Sequence, residues 1–570
     1  MKVSDYIVKF LIEKGIKDVF GYPGGMVTDI MNSLEENKDK IQAHISYHEQ
    51  GAAFAACGLA QVTHKPGVCY ATSGPGATNL MTGIANAYFD SIPCIFLTGQ
   101  VNTREAKGEL LCRQKGFQET DIVSIVKPIT KYAKKIETED QIQYELEKAY
   151  NICMEGRPGP VLLDIPINIQ KQEIVVEKVT CFQEEKDEEE LLNMIEKIQQ
   201  ELQKAKRPVI IAGNGINIAN CKKEFKNLVE KWKVPVVTSM IAIDCIETQN
   251  PYCYGFIGAY GERYANIIVE KSDLIISIGS RLDVRQTGPT DKFAQKSKLI
   301  RIDVDSNELT NKIKKDEIQI KGDIREILPL LGQLKLNNTD DWLQDCKKIK
   351  EQLQEIDKKD YHQWISNLSN YIPEESVITT DVGQNQVWIA QYFEVKENQR
   401  VLFSGGHGAM GYSLPAAIGS YYADKNKMIV SINGDGGFQM NIQELQFIAR
   451  EKIPIKMIIF NNHSLGMIRH FQEMYFDSHY VQTVENSGYE IPDFCKIANA
   501  YGIRSYSIKQ REELEKIKEI LLDKKPVLMN VEFPQITHVY PKLAMGKPVY
   551  NQDPLLDQNK LKELLKENVE

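Results

Sequence analysis

The chain has 570 residues, 42% of them hydrophobic and 26% charged, with a net charge of −9. That length exceeds one ordinary core and predicts three or four domains. The small acidic balance, the lack of a basic stripe and the lack of an apolar run long enough to span a bilayer argue against nucleic-acid and membrane roles.

Residues 1–20 read as an amphipathic helix entering a strand, so they belong to the fold and are no signal peptide. The 11 cysteines are scattered singly, which fits a reducing cytoplasm. The first block (1–170) alternates short apolar strands, polar turns and helices. KPGVCYATSGPGATNLMTGIANAYFDSIPCIFLTGQ is strand, Gly-Pro-Gly turn, helix, strand, and RPGPVLLDIPINIQ closes the block. Such alternation predicts a parallel sheet covered by helices on both faces. In AHISYHEQGAAFAACGLAQ, Glu49 stands at a strand-to-helix junction, where a carboxylate also complements a helix N-terminus.

Residues 171–190 are charged and lack a steady apolar period, so they read as a linker. A second αβ block (191–335) follows, with RPVIIAGNGI, SDLIISIGSRLDV and SKLIRIDVD as its strands. Residues 336–369 are charged with helical spacing and read as a second linker. A third αβ block covers 370–533, and a polar tail (534–570) is expected to pack over the surface. The first and third blocks look alike, each with a glycine turn where a strand meets a helix. The expected fold class is α/β, with three doubly wound parallel-sheet domains.

The third block carries the sharpest chemical signal. In SINGDGGFQMNIQELQFIAREKIPIKMIIFNN an acidic turn between glycines is followed, one strand–helix–strand unit later, by Asn-Asn. A right-handed βαβ unit brings both strand C-termini to one sheet edge, so Asp435 and Asn462 should meet there. Both offer hard oxygen ligands suited to Mg²⁺, and the glycines let the backbone and the positive helix end approach a phosphate. An isolated GDG is more often a plain turn with a capping Asp; the Asn-Asn at this spacing reverses that.

GDG followed by NN resembles the diphosphate-binding motif of thiamin diphosphate enzymes. The resemblance covers residues 1–540 and is strongest to acetolactate synthase catalytic subunits, through FGYPGG, HEQGA, TSGPGATN, GFQETDIV, ITKY, GRPGPVLLDIP, FSGGHGAMG, MNIQELQ and NNHSLGMIR. It implies a pyrimidine-binding domain (1–170), a central FAD-type domain (191–335) and a diphosphate-binding domain (370–533). By that resemblance Asp435, Asn462 and the Ser464 carbonyl hold Mg²⁺, and Glu49 activates the cofactor. Met410 is the bulky residue beneath it. Gly25, Pro75, Asn79, Gly383, Gln384, Asn385, Gly408, Gly434, Gly436, Gly437, Leu465, Gly466 and Met467 complete its cradle. Gln118 and Lys131 are expected at the substrate and flavin side. Gly213, Asn214, Gly215, Gly279, Arg281, Asp283, Arg285, Asp303 and Asp323 are expected to hold FAD.

The resemblance implies transfer of the two-carbon unit of pyruvate, with loss of CO₂, to a carbonyl acceptor such as a second 2-oxo acid, by a homodimer or tetramer. A nucleotide-linked keto sugar is the alternative acceptor, and a flavin-dependent pyruvate oxidase the further alternative. Several positions depart from the family pattern. They include Met26, residues 113–116, the pair His470 and Phe471, and the segments MYFDSHYVQT and PKLAMGKPVYNQDPLL. These surround the acceptor pocket rather than the cofactor.

Overall fold

The computed structural model describes residues 1–177, 188–509 and 513–566. It contains three parallel six-stranded sheets flanked by helices. The first runs Gln42–Ile45, Asp18–Gly21, Gly67–Ala71, Cys94–Gln100, Val161–Pro166, Tyr132–Lys135. The third runs Arg400–Leu402, Ser376–Thr380, Met428–Gly434, Lys456–Asn461, Val527–Glu532, Arg504–Ile508. Numbered within each block, both orders read 2-1-3-4-6-5, so the likeness of the two blocks in sequence is a likeness of topology.

The middle sheet differs. Its order is Ile318–Lys321, Lys298–Asp303, Leu274–Ile278, Pro208–Ala212, Val236–Thr238, Cys253–Phe256. Read from the other edge that is 3-2-1-4-5-6, the order of dinucleotide-binding folds, with its switch point between Pro208–Ala212 and Leu274–Ile278. The central strands are continuous apolar runs because helices cover both faces. Met457, Ile458 and Ile459 are each fully buried.

One helix pair ties the first and third blocks together. Glu49–Thr63, rich in alanine and glycine, packs on Ser413–Ala423. A Cβ on Gly58 would strike the Ala416 carbonyl, and one on Gly419 the Ala55 carbonyl. The helices therefore approach to backbone contact, and any side chain at either glycine separates them.

The charged stretch after the middle block forms two helices, Asp340–Leu353 and Asp360–Tyr371. Trp342 of the first donates its indole N–H to the Pro208 carbonyl at 3.0 Å. It shares a core with Leu561 and Leu564 of the C-terminal helix Gln558–Leu565. The tail is also anchored by Arg263, whose buried guanidinium donates to the Gln552 and Pro554 carbonyls and pairs with Asp357 at 2.6 Å. No helix among the described residues is long and apolar enough to cross a membrane.

Candidate active site

In the third block, three strand C-termini supply one cluster. Asp381 follows Ser376–Thr380, Asp435 follows Met428–Gly434, and Asn462 follows Lys456–Asn461. Neighbouring strands pair in parallel, which brings these ends to a common edge. Asp435 opens the helix Asp435–Met440 and accepts from the Gly436 N–H at 2.7 Å, the Ser464 N–H at 3.2 Å and the Tyr489 hydroxyl at 3.3 Å. The Ser464 N–H also reaches Asn462 Oδ1 at 3.3 Å. The three expected ligands are therefore brought together.

Asp435 is buried, and burial pushes its carboxyl up to about 6 despite the donors around it. Among the described residues it forms no salt bridge with a lysine or arginine. A buried carboxylate of this kind favours an added cation. Asn462 is oriented for that role. Its Nδ2 donates to Gln384 Oε1 at 3.1 Å and Thr537 Oγ1 at 2.9 Å, so its carbonyl end is the one that faces Asp435. Asp and Asn oxygens with a nearby backbone carbonyl form a hard donor set that fits Mg²⁺.

The glycines of this edge are packing requirements. A Cβ on Gly436 would lie 2.6 Å from Leu465 Cδ2 and 3.3 Å from Met410 Cε. Met410 and Leu465 thus both stand against the acidic turn at Gly436. A side chain on Gly437 would come within 2.5 Å of Asp381 Oδ1, and one on Gly466 would collide with Gln384. Gly383, with φ +149°, and Gly408, with φ +68°, use backbone conformations that favour glycine. Asn385 points Oδ1 toward Gly383 and Gly434 and donates to the Asp381 carbonyl at 2.7 Å.

Sequence reasoning missed Asp381. Its buried carboxylate accepts from the backbone N–H groups of Val382, Gly411 and Ser413 at 2.8, 3.0 and 3.1 Å. It therefore fixes the loop that carries Met410. Thr537 and Glu444 were missed as well. Thr537 bridges Asn462 and Gln384, while Glu444 accepts from the Tyr47 N–H at 2.9 Å, joining the third block to the first just before Glu49. Their signals were weak because both act across long sequence separations.

In the first block, Glu49 opens its helix and accepts from Asn79 Nδ2 at 2.9 Å. A Cβ on Gly76, in the turn begun by Pro75, would sit 3.1 Å from Glu49 Oε1. Gln118 adopts φ +63° and lies against Gly74, so it joins this turn. That left-handed conformation is uncommon for a non-glycine residue. Lys131 stands apart: its Nζ donates to the Glu155 carbonyl at 2.6 Å and its stem packs on Gly159. Burial lowers its pKa. In the Gly-Gly turn, Gly24 is the residue whose backbone meets Thr72, whereas a Cβ on Gly25 would enter open space.

A cavity of about 330 Å³ opens at the switch point of the middle sheet and extends between the three blocks. Asn214, Gly215, Gly279, Arg281, Asp283, Arg285, Asp303 and Asp323 line it. Gly213 is absent from the lining, because it is packed against the Gly279 carbonyl just past the adjacent strand Leu274–Ile278. The carboxylates have local partners. Asp283 caps Val284–Thr287 and pairs with Arg281 at 2.6 Å, Asp323 caps Ile324–Leu331, and Asp303 accepts from the Asp305 N–H at 2.9 Å. Among the described residues, buried Asn217 Oδ1 and Arg400 Nε on the wall find no hydrogen-bond partner. A polar cofactor with its own donors and acceptors, such as FAD, fits that chemistry.

Two like-ordered sheets, one carrying a glycine-flanked acidic edge, separated by a dinucleotide-type domain, form the arrangement expected of a thiamin diphosphate-dependent enzyme. The comparisons agree: models of the thiamine pyrophosphate enzyme N-terminal, central and C-terminal domains match residues 1–125, 195–331 and 381–531. The chain is 33% identical to the acetolactate synthase isozyme 2 large subunit of Escherichia coli K12, over 96% of this chain and 98% of that one. It is 37% identical to a probable acetolactate synthase large subunit of Methanocaldococcus jannaschii, over 93% and 92%. It is 36% identical to the acetolactate synthase large subunit of Lactococcus lactis, over 95% and 94%. The chain belongs to the acetolactate synthase large-subunit family of thiamin diphosphate-dependent enzymes.

Proposed function

We propose that this chain transfers the two-carbon unit of pyruvate, with release of CO₂, to the carbonyl of a second 2-oxo acid. The observation that carries the reading is the meeting of Asp435, Asn462 and Ser464 beside Met410, in a chain aligned with this family along nearly its whole length. Bound thiamin diphosphate supplies an electron sink for decarboxylation and carbon–carbon bond formation.

The residues supply the rest. Asp435, the Asn462 amide and the Ser464 carbonyl would hold Mg²⁺, and Gly436, Gly437 and Gly466 let the edge that carries them pack closely. Glu49, held by Asn79, moves the proton that activates the cofactor. Met410 would support the bound cofactor, and Gln118 would stand on the substrate side of the Glu49 pocket. Arg281 and Arg285 would hold FAD in the cavity they line. Glu49 and Asp435 serve one cofactor across a homodimer, as the family resemblance implies. The ten described cysteines are all unpaired, which supports a reducing, cytoplasmic setting.

The test is to supply the purified protein with thiamin diphosphate, Mg²⁺, FAD and pyruvate, follow CO₂ and identify the product by mass. Steady CO₂ release with acetolactate as product supports the reading. Steady CO₂ release without acetolactate removes the second 2-oxo acid as acceptor, and no CO₂ release removes pyruvate as donor. Size measurement by light scattering decides the dimer, and a flavin absorbance spectrum after gel filtration decides FAD.

A further inference from the structure

The helix Gly466–Tyr475 starts at the turn of the cation ligands and carries a second, unassigned face. Met467, Phe471 and Met474 recur at the spacing of one helix side. The Tyr260 hydroxyl from the middle block lies 4.0 Å from Met467 Sδ, at the cofactor end. At the far end stands Lys542 of the C-terminal segment. Its Nζ is 3.3 Å from Met474 Sδ and 5.5 and 5.7 Å from the ring centres of Phe471 and Tyr475. The segment is pinned there, since His538 Nε2 meets Glu473 Oε2 at 2.7 Å and Glu473 pairs with Arg469 at 2.8 Å.

Lys542 is only 9% exposed. Among the described residues no oxygen accepts a hydrogen bond from its ammonium group; a thioether and two ring faces are its partners. Asp553 lies opposite it on the two-stranded ladder and acts on it electrostatically, but forms no ion pair with it. A part-buried ammonium with three donors and no oxygen acceptor among the described residues is under-satisfied by protein, and an incoming anion would complete it. Phe471 and Tyr475 beside it stay part-exposed, so the wall is open to a ligand. Met467 and Met474 are seven residues apart on the helix, which is about 10 Å at the rise of an α-helix. That span exceeds pyruvate, so the anion must sit at the far end of a longer acceptor.

We propose that Lys542 is a specificity-determining residue that binds a distal anionic group, carboxylate or phosphate, on the acceptor, with Phe471 and Tyr475 flanking the chain that leads to it. This deepens the carboligase reading above and rests on it. Position 542 and the pair His470 and Phe471 fall among the departures from the family pattern.

The test compares wild-type holoenzyme with Lys542→Met and Lys542→Arg. Acceptors are 2-oxoglutarate, for a distal carboxylate, and a nucleoside-diphosphate-linked keto sugar, for a distal phosphate, each with pyruvate as donor. Wild type should favour 2-oxoglutarate over pyruvate itself as acceptor; preference for the keto sugar would keep the anion site at Lys542 and overturn the second 2-oxo acid as acceptor. Lys542→Met should raise KM for the favoured acceptor about tenfold or more, the effect of losing a charged hydrogen bond, with a smaller change in kcat. Lys542→Arg should restore most of it. Which acceptor responds identifies the anion.

Calorimetric binding of the same two probes to the holoenzyme, without pyruvate, decides the matter independently of turnover. Equal affinities of wild type and Lys542→Met for both probes, or no binding of either probe to wild type, overturn the proposal. Absent CO₂ release with retained, Lys542-dependent binding instead overturns the donor assignment.

Discussion

Thr537 Oγ1 accepts from Asn462 Nδ2 at 2.9 Å and donates to Gln384 Oε1 at 2.7 Å. A residue of the C-terminal segment thus fixes the amide of a proposed Mg²⁺ ligand. Partners that orient a metal ligand commonly affect metal affinity 10- to 100-fold. Thr537→Val keeps the shape and removes both bonds. The expected outcome is a roughly tenfold or greater loss of affinity for Mg²⁺–thiamin diphosphate, read by calorimetry, with the fold retained by circular dichroism. Unchanged affinity would show that Asn462 needs no such support.

The proton assignment to Glu49 is separable from cofactor binding. Glu49→Gln retains the contact to Asn79 through its remaining carbonyl but cannot relay a proton. General acid–base contributions of this kind are typically 10²- to 10⁴-fold. Steady-state CO₂ release should fall by about that factor, while thiamin diphosphate affinity changes only a few-fold. NMR measurement of hydrogen exchange at the cofactor's reactive carbon gives the direct readout. Exchange at the wild-type rate in this variant removes the assignment.

How much of this was legible in the sequence depends on how far each contact reaches. Asp435 and Asn462 could be paired in advance because one βαβ unit joins them and the handedness of that unit is nearly invariant. The three parallel sheets followed from the strand–turn–helix rhythm for the same local reason. Thr537, Glu444 and Lys542 act between segments that no short pattern links, so only the folded chain reveals their partners. Asp381 was hidden by plainness, since a carboxylate accepting three backbone N–H groups resembles any loop aspartate in sequence. Gly24 and Gly25 are indistinguishable as letters, and their difference appears only where Thr72 packs.

Asp435 should make cofactor binding sensitive to pH. Burial raises its carboxyl from 3.8 to about 6 in the cofactor-free chain. A folded-state pKa above the unfolded one stabilises the fold below the unfolded value, and that stability is lost as pH rises through the folded value. The cation offsets this loss, and protons compete with it. Mg²⁺–thiamin diphosphate affinity should therefore weaken as pH falls below about 6. Asp435→Asn should raise the melting temperature of the cofactor-free protein at pH 7 by a few degrees and abolish the rise that Mg²⁺–thiamin diphosphate gives wild type. A lower melting temperature for the cofactor-free variant at that pH would contradict the account.

Glu444 joins the first and third blocks and should weaken that seam in alkali. Its Oε1 accepts from the Tyr47 N–H at 2.9 Å, and the neighbouring His48 N–H also acts on the carboxyl group. A Cβ on Gly51 would come within 2.5 Å of Oε1, so the close fit depends on a glycine in the Glu49 helix. Burial raises the carboxyl from 4.5 to about 8, so at neutral pH it is held protonated. Its stabilising contribution is complete below about pH 4.5 and is lost as pH rises through about 8, at up to roughly 1.4 kcal/mol per pH unit. Glu444→Gln keeps an acceptor toward Tyr47 and cannot ionise. Melting temperatures between about pH 6 and 9.5 should therefore fall more steeply for wild type than for the variant. Superimposable curves would mean that the alkaline loss arises elsewhere, because no other change distinguishes the two proteins at this seam.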